Sequence, residues 1–176
     1  MNIEERVKNR IRDVADFPKP GIMFKDITPI MQDYQLCLDI VEDSRIKLAE
    51  LNIEGVAGIE SRGFLIGLPL AMALKVPFIL IRKKGKLPYK TVSHSYNLEY
   101  GSAEIEMHID AVKPGQRILI HDDLLATGGS ASAAAELINK QNATVVGFNF
   151  LVELSFLNGR DMISKYSENI SNLVLY

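Results

Sequence analysis

The segment from Asp122 to Ser130 combines two adjacent acids with a turn of small residues. The acids follow the apolar run Ile118–Ile120, which predicts a buried strand, and the alanine-rich stretch 130–140 after the turn predicts a helix. Glycines without Cβ let successive N–H groups point into one concavity, and the helix adds unpaired amides and the positive end of its dipole. The turn therefore predicts a phosphate site built from Ala126, Thr127, Gly128, Gly129 and Ser130.

Asp122 and Asp123 would repel a bare polyphosphate, so we expect them to face hydroxyl groups or a metal ion. The alternative is that Gly128-Gly129 is only a loop between a strand and a helix, with acids that suit the start of the helix. The turn is not a P-loop, because no Gly-Lys-Ser/Thr follows, and it does not fit the dinucleotide-binding GxGxxG spacing.

The sequence HDDLLATGGS, residues 121–130, resembles the phosphoribosyl-pyrophosphate (PRPP) motif of type I phosphoribosyltransferases, and its LLATGGS ending is similar to their adenine-specific branch. The resemblance implies that Asp122 and Asp123 bind the ribose hydroxyls and that residues 126–130 bind the 5-phosphate. It also implies that Leu124 forms one wall of the purine site. His121 departs from the pattern, since an aliphatic residue is usual there.

The stretch 21–29, GIMFKDITP, has too little polar content for an ordinary surface loop, and from its residues alone it could simply be a lid over the core. It resembles the base-binding hood of the same family. The resemblance implies that Phe24 stacks on the purine and that backbone groups of Met23 and Lys25 bond its edge. A flat heteroaromatic ring needs such in-plane donors and acceptors between apolar walls.

Two further segments carry cations after predicted strands: Glu60-Ser61-Arg62-Gly63 and the run RKKGKLP, residues 82–88. Alone, the first could be a surface turn and the second a solvated face. Both resemble pyrophosphate-binding loops of the family, which implies that Arg62, Arg82, Lys83 and Lys86 bind pyrophosphate. The family's arginine often reaches the neighbouring subunit's site, and a cis peptide near Glu60–Ser61 is also implied.

Residues 89–101 are polar and tyrosine-rich, and a loop of that length is often a lid. Alternation between Ala103 and Ile109 then predicts an exposed strand of a hairpin. The sequence around Glu99 and Tyr100 resembles the family's flexible catalytic loop, which we assign to about residues 83–105. The resemblance gives Glu99 proton transfer at the purine, whereas a lone loop glutamate is ordinarily just solvated.

The elements that must position these residues are strands alternating with helices. Ile3, Val7, Ile11 and Val14 recur at helical spacing, and a second helix is predicted over about 33–51. Short apolar runs predict strands at 54–59, 76–81, 143–154 and 170–176. We therefore expect an α/β fold, a three-layer arrangement with a mostly parallel central sheet flanked by helices. Residues 1–176 are expected to form a single domain, with a small N-terminal helix and hood over about 1–30 and a flexible hairpin loop.

Composition narrows the function classes. Twenty basic and 22 acidic side chains give a net charge of −2, so no global positive field favours nucleic acid or an anionic membrane. The one cysteine, Cys37, cannot form an internal disulfide. With a charged N-terminus that does not resemble a signal peptide and no apolar run near the roughly 20 residues of a membrane span, a cytoplasmic protein is expected.

The resemblance implies a purine-salvage enzyme that transfers the phosphoribosyl group of PRPP to adenine, giving AMP and pyrophosphate. It also implies a homodimer, and Mg²⁺ held mainly by PRPP, pyrophosphate and water without a direct protein ligand. Two alternatives remain open at this point. One is the same chemistry on another purine, such as xanthine or guanine; the other is a regulator that keeps the fold to sense PRPP.

Overall fold

The computed structural model describes residues 1–97 and 102–176, so the predicted loop residues Glu99 and Tyr100 lie outside the described part of the chain. The helices are α1 Ile3–Arg10, α2 Tyr34–Lys47, α3 Gly63–Leu74, α4 Gly129–Lys140 and α5 Gly159–Ile163. The strands are β1 Arg12–Ala15, β2 Met23–Asp26, β3 Gly55–Ile59, β4 Phe78–Lys83, β5 Thr91–Asn97, β6 Ser102–His108, β7 Arg117–Leu125, β8 Thr144–Glu153 and β9 Ile170–Leu175.

The central sheet has the strand order β5-β6-β4-β3-β7-β8-β9. In this order the neighbours β4, β3, β7, β8 and β9 run parallel to one another. Strand β6 is antiparallel to both of its neighbours, β4 and β5. This arrangement confirms the predicted mostly parallel sheet. The antiparallel pair β5–β6 is the predicted hairpin, and much of the polar stretch that the sequence suggested as loop is therefore strand.

Side chains of β7 alternate between two apolar cores, as the period of a strand requires. Ile118 and Ile120 pack with the alanine face of α4, whereas Leu119 packs with residues of α3 on the opposite face. Helices therefore cover both faces of the sheet, which confirms the three-layer architecture. Among the described residues, no helix is both long and apolar enough to span a membrane.

The first helix is shorter than its apolar periodicity predicted. It begins with a capping box between Asn2 and Glu5 and ends at Arg10, after which Ile11 is extended. Val14 lies in β1, opposite Phe24 of β2, in a separate two-stranded antiparallel sheet. Pairing with a distant strand overrides the helical pattern of residues 11–14 in this case.

Two other boundaries and the exposure of one strand also differ from the sequence prediction. Helix α2 ends at Lys47, and a 3₁₀ turn then runs from Ala49 to Leu51. Strand β7 continues through both acids to Leu125 instead of ending before them. Strand β6 is not simply exposed, because its middle residues Ile105, Glu106 and Met107 are buried.

Candidate active site

The predicted functional segments meet at the carboxyl edge of the parallel sheet, where open α/β sheets bind ligands. Neighbouring strands β4, β3 and β7 deliver the 82–88 loop, the 60–63 turn and the 126–130 turn to this edge. A cavity of about 380 Å³ lies there, lined by Ile59, Glu60, Ser61, Arg62, Lys83, Asp122, Asp123, Leu124 and Ser130. A smaller cavity of about 80 Å³ adjoins it and is lined by Asp122 and residues 124–131.

The two acids of β7 have different surroundings. Asp123 is buried, and its Oδ2 lies 2.6 Å from Nε of Arg62. Asp122 packs against the start of α3, where a Cβ on Gly63 would come within 2.9 Å of its Oδ1. Burial, and then the negative charge of Asp123, raises the pKa of Asp122 well above its usual value. The pair therefore favours a state with one negative charge, held against Arg62.

Arg62 also contacts the hood. Its guanidinium carbon lies 5.2 Å from the centre of the Phe24 ring, within the range of a cation–π contact. The ring of Phe17 packs edge-on against Phe24 at 5.0 Å between centroids. The peptide bond between Glu60 and Ser61, just before Arg62, is cis, as the resemblance implied. One arginine thus connects the predicted base-stacking ring to the predicted ribose-binding acid.

The hood strand β2 directs its neighbouring side chains differently. The Lys25 ammonium lies 2.7 Å from Asp13 and 4.0 Å from the centre of the Tyr176 ring, so this side chain is already engaged. Met23 is half exposed. Leu124 lines both cavities and is the apolar wall available on the β7 side.

The 126–130 turn has the backbone geometry that a phosphate site requires. Gly128 has φ of 85°, in the left-handed region, and α4 begins at the next residue without a side-chain cap. The first amides of α4 are therefore available to an anion at the small cavity. The turn is also backed by α5: a Cβ on Gly159 would lie 2.2 Å from the carbonyl oxygen of Ala126 and 3.0 Å from the nitrogen of Gly128.

Residues after Gly159 hold this backing segment in place. Arg160 donates through Nε and Nη2 to the buried carboxylate of Glu153, at 3.1 and 2.6 Å, and through Nη1 to the carbonyl of Ile170. Asn172 donates to the same carboxylate. Arg160 is partly exposed, but removing donors from the buried Glu153 carboxylate is costly, so the network holds α5 beneath the turn.

The cationic loop after β4 is anchored by two acids. Glu60 accepts the Lys83 amide at 2.8 Å and the Arg82 Nε at 3.3 Å. Burial opposes ionisation of Glu60, but these donors and nearby positive charges hold its pKa below the usual value. Arg82 also donates to the carbonyl of Lys86 at 3.2 Å. The predicted pyrophosphate ligands Arg82 and Lys83, at the end of β4, are therefore tied by hydrogen bonds to Lys86 in the loop that follows and to Glu60.

Glu106 of β6 is the second anchor, and its side chain is buried. Its Oε1 accepts the amides of Lys86 and Leu87 at 3.0 and 2.9 Å, and its Oε2 accepts the hydroxyl of Thr91 at 3.1 Å. Burial acts to raise the pKa of Glu106, and the amide and hydroxyl donors outweigh it and lower the pKa. The carboxylate remains charged and holds the far end of the cationic loop.

His121, one of the departures from the family pattern, is buried beside the acids. Its Nδ1 lies 2.8 Å from Oδ1 of Asn149, which can only accept, so Nδ1 carries the proton. Its Nε2 has no hydrogen-bond partner within the described part of the protein. Burial lowers the pKa of His121 to about 4 despite the Asn149 bond, so this ring is neutral at pH 7.

Three residues that no sequence motif indicated also contact these loops: Tyr96, Glu106 and Gly159. Tyr96 contacts Ser130, Glu106 binds the cationic loop, and Gly159 supports the phosphate turn. Each meets its partner across at least 19 residues of chain, so no local motif marks it. The one available signal was the tyrosine-rich composition around Tyr96.

The donor set suits a metal that arrives with a ligand. Within residues 1–97 and 102–176, no group of three or more His, Cys, Asp or Glu side chains is placed to hold a metal ion. Three carboxylates line the large cavity: Asp122, whose pKa is raised, Asp123, which is paired with Arg62, and Glu60, which accepts from Lys83 and Arg82. Mg²⁺ prefers oxygen ligands and retains water, which is compatible with binding through phosphate oxygens near these acids.

The fold and the site at this edge of the sheet are typical of one class of protein. Comparison with known families identifies that class. The family model described as "Phosphoribosyl transferase domain" matches residues 25–172, and the chain belongs to this family. The resemblance inferred from HDDLLATGGS is thereby confirmed. A curated relative from Cytophaga hutchinsonii, named adenine phosphoribosyltransferase, is 51% identical over 174 residues, covering 99% of this chain and 96% of the relative.

Solved structures give the same grouping. The adenine phosphoribosyltransferase of Thermoanaerobacter pseudethanolicus superposes with a TM-score of 0.95 at 44% identity, covering 99% of this chain and all of that one. The Saccharomyces cerevisiae enzyme, solved with an imino-altritol bisphosphate and adenine, has a TM-score of 0.91 at 38% identity, covering 97% and 98%. The match extends through the whole of the described fold.

Proposed function

We propose that this protein is an adenine phosphoribosyltransferase of purine salvage, which converts adenine and PRPP to AMP and pyrophosphate. The observation that carries the proposal is the contact of Arg62 with both Phe24 and Asp123 beside the 126–130 turn. A stacking ring, a ribose-binding acid, a pyrophosphate-binding cation and a phosphate-binding turn are thereby adjacent. The yeast relative, solved with adenine and a sugar-like bisphosphate, supports this choice of substrates.

In the proposed complex the 5-phosphate occupies the turn formed by Ala126, Thr127, Gly128, Gly129 and Ser130. The amides at the start of α4 and the two hydroxyls bind its oxygens. Pyrophosphate lies between Arg62 and the cationic loop, where Arg82, Lys83 and Lys86 neutralise its charge. These groups fix both ends of PRPP and leave C1 of the ribose between them.

Binding of pyrophosphate changes the partner of Arg62. The guanidinium that pairs with Asp123 in this structure turns to the pyrophosphate oxygens, and Asp123 becomes available to the ribose hydroxyls. Asp122 and Asp123 then hold the ribose and stabilise positive charge that develops on it. The exchange is favourable because a buried carboxylate needs a donor, and ribose hydroxyls can supply two.

Adenine is proposed to stack between Phe24 and Leu124, with backbone groups of Met23 and Lys25 on its edge. Its N9 attacks C1 as the C1–oxygen bond breaks, and the electron pair of that bond leaves with pyrophosphate. The proton lost by the purine passes to Glu99, a residue outside the described ranges, next to Tyr100. The loop of about residues 83–105 would exclude water, whose attack would hydrolyse PRPP.

Mg²⁺ is the proposed cofactor, bound through PRPP, pyrophosphate and water, where it would neutralise charge on the leaving group. Asp122 and Asp123 would reach it through the ribose hydroxyls or water. No residue of the chain is proposed as a direct ligand.

We propose a single domain over residues 1–176, with the hood in about the first 30, that works as a homodimer in the cytoplasm. Leu65, Leu68 and Met72 form one exposed apolar stripe on α3, spaced for a single helix face, which suits burial against a second copy. Sedimentation velocity at micromolar concentration tests the dimer: Leu68→Asp is expected to give monomers, and a monomeric unaltered protein would contradict the proposal. The balanced surface charge gives no reason to propose nucleic acid or membrane as a partner.

The test of function is direct. Protein, Mg²⁺ and PRPP are incubated separately with adenine, hypoxanthine, guanine and xanthine, and the nucleotides are separated by chromatography. AMP is the expected product, with the other bases turned over at least 100-fold more slowly, since a site that bonds one base edge leaves buried groups unpaired with another. Efficient turnover of guanine or xanthine instead would overturn the choice of adenine. Single-turnover rates for Glu99→Gln then test its proton role, which an unchanged rate would remove.

A further inference from the structure

Tyr96 reaches the phosphate turn from the β5–β6 hairpin. Its hydroxyl lies 3.1 Å from Oγ of Ser130. Its ring covers the turn as well, since a Cβ on Gly129 would lie 3.6 Å from Cδ2 of the tyrosine, an ordinary contact distance. Tyr96 is partly buried and packs against the core beside α4. The tyrosine is therefore held at the mouth of the anion site instead of extending into solvent.

Strand β5 is fixed on α4 at a second point. Lys140, at the end of α4, donates through Nζ to the carbonyl of Ser93 at 2.7 Å. Contacts at both the first and the last residues of α4 align the strand with the helix. The position of the Tyr96 hydroxyl is thus set by the hairpin packing and by Ser130 together.

The hydrogen-bonding capacity of the two hydroxyls fixes what happens when phosphate binds. A phosphate dianion only accepts, so the single proton of Ser130 must be donated to it. The Ser130 oxygen then has free lone pairs, and the only proton available to it from this pair is that of Tyr96. The bond that is ambiguous without phosphate becomes a directed relay from Tyr96 to Ser130 to phosphate, in which each donor polarises the next.

We propose that Tyr96 is a positioning residue of the 5-phosphate site, which acts through Ser130 by holding that hydroxyl as a donor to the phosphate. The inference deepens the proposed function and rests on it for the identity of the phosphate. It predicts that the tyrosine hydroxyl matters for binding of the phosphoribosyl group and does not matter for binding of the base.

The test combines steady-state kinetics with calorimetric binding of ribose 5-phosphate. Tyr96→Phe removes only the hydroxyl and is expected to raise the KM for PRPP and the Kd for ribose 5-phosphate about fivefold, the value of one net hydrogen bond. The KM for adenine is expected to stay unchanged. In a Ser130→Ala background the same substitution should alter PRPP binding by less than about twofold, because its partner is absent.

Tyr166→Phe is the control, since the Tyr166 hydroxyl also lies 3.1 Å from a serine of α4, Ser132, while it donates its own proton to Glu136 and does not reach the 126–130 turn. It should leave ribose 5-phosphate binding unchanged. The inference is overturned if Tyr96→Phe has no effect, has the same effect with Ser130→Ala, or is matched by Tyr166→Phe. If the unaltered protein binds ribose 5-phosphate but forms no AMP, the proposed function fails while the binding cycle still decides the role of Tyr96.

Discussion

The Nε of Arg62 lies 2.6 Å from the Asp123 carboxylate, so in the absence of substrate a predicted pyrophosphate ligand neutralises a predicted ribose ligand. Each residue satisfies the other until both are needed. The pair also has consequences for binding, because pyrophosphate must compete with Asp123 for the guanidinium.

Asp123→Asn is expected to separate binding from turnover. Loss of the competing charge should tighten pyrophosphate binding about threefold, in line with the value of a half-exposed ion pair. Turnover of PRPP should fall at least 100-fold, since the ribose loses a charged acceptor. Calorimetry and steady-state rates check the two effects. Weaker pyrophosphate binding in Asp123→Asn would contradict the exchange, and Arg62→Gln should weaken it in any case.

Asp122 should cost stability in its ionised form. Because its pKa is raised in the folded protein, the folded state retains a proton that the unfolded state has lost, so the contribution of this group falls as pH rises through that window. Asp122→Asn is expected to raise the Tm at pH 7 while lowering kcat. Calorimetric scans at pH 7 and pH 3 should show the gain shrinking at the lower pH, where the carboxyl of Asp122 is mostly protonated in the unfolded state as well as in the folded state. A gain of equal size at both values would argue against a titrating group.

His121 should make the protein less stable as the pH falls, which is the opposite of the pH dependence expected from Asp122. Its pKa of about 4 lies below the ordinary 6.5, so between these values the unfolded chain binds a proton that the folded chain does not. The free energy of unfolding should fall as pH is lowered from 6.5 to 4, by about 3 kcal/mol in all. Urea unfolding of His121→Gln, which can still bond Asn149, should show a correspondingly flatter pH profile. Parallel profiles for the two proteins would exclude His121 as the cause.

Glu106→Gln should weaken the hydrogen bonds that hold the cationic loop to β6. The neutral side chain cannot accept from both amides and Thr91 with equal strength, and charge-assisted bonds of this kind contribute about 1.5–3 kcal/mol. We expect the free energy of unfolding to drop by about 2 kcal/mol and the KM for PRPP to rise about tenfold with an unchanged KM for adenine. Glu104→Gln is the control, since Glu104 lies on the same strand but its half-exposed carboxylate contacts Ser93 and Lys84, the latter at 3.5 Å, and not the amides that Glu106 holds. Equal effects of the two substitutions on PRPP would refute the anchoring role.

Gly159→Ala should damage the phosphate turn without touching substrate. The new Cβ would lie 2.2 Å from the carbonyl oxygen of Ala126, so the turn must move. We expect a loss of about 1–3 kcal/mol of stability and a rise of at least tenfold in the KM for PRPP. Gly147→Ala, whose Cβ would crowd the carbonyl oxygen of Asn169 at 2.9 Å, should lose stability while keeping its KM. A normal KM in Gly159→Ala would mean that the turn tolerates the displacement.

The parts of the site that the sequence could predict are those whose residues are contiguous in the chain. Residues 118–140 are contiguous, and their types alone predict a strand, an anion-binding turn and a helix. The same local logic predicted too long a first helix, because Ile11 and Val14 continue its apolar spacing, while the pairing of Val14 with Phe24 is a tertiary effect.

The supporting residues follow from long-range contacts that no motif encodes. Glu106 meets Lys86 across an antiparallel pairing of β6 with β4, and Gly159 meets Ala126 after an intervening helix and strand. In a strand with alternating polarity, the sequence pattern predicts that a glutamate such as Glu106 is exposed. Its burial becomes evident only when its hydrogen-bond partners are known. The resemblance assigned pyrophosphate to Arg62, which stays a prediction, and the pairing of Arg62 with Asp123 could be found only from the structure.

Gly159 packs closely against the phosphate turn. A segment that is transplanted to another protein with the turn's conformation intact must therefore include Gly159. Residues 117–130 contain every group proposed to touch the 5-phosphate, yet their curvature is maintained by backbone that arrives about 30 residues later. Grafting the motif alone onto another parallel sheet would transfer its sequence without its backbone conformation. A graft that runs on through β8 to Arg160, with Glu153 to hold it, would carry both.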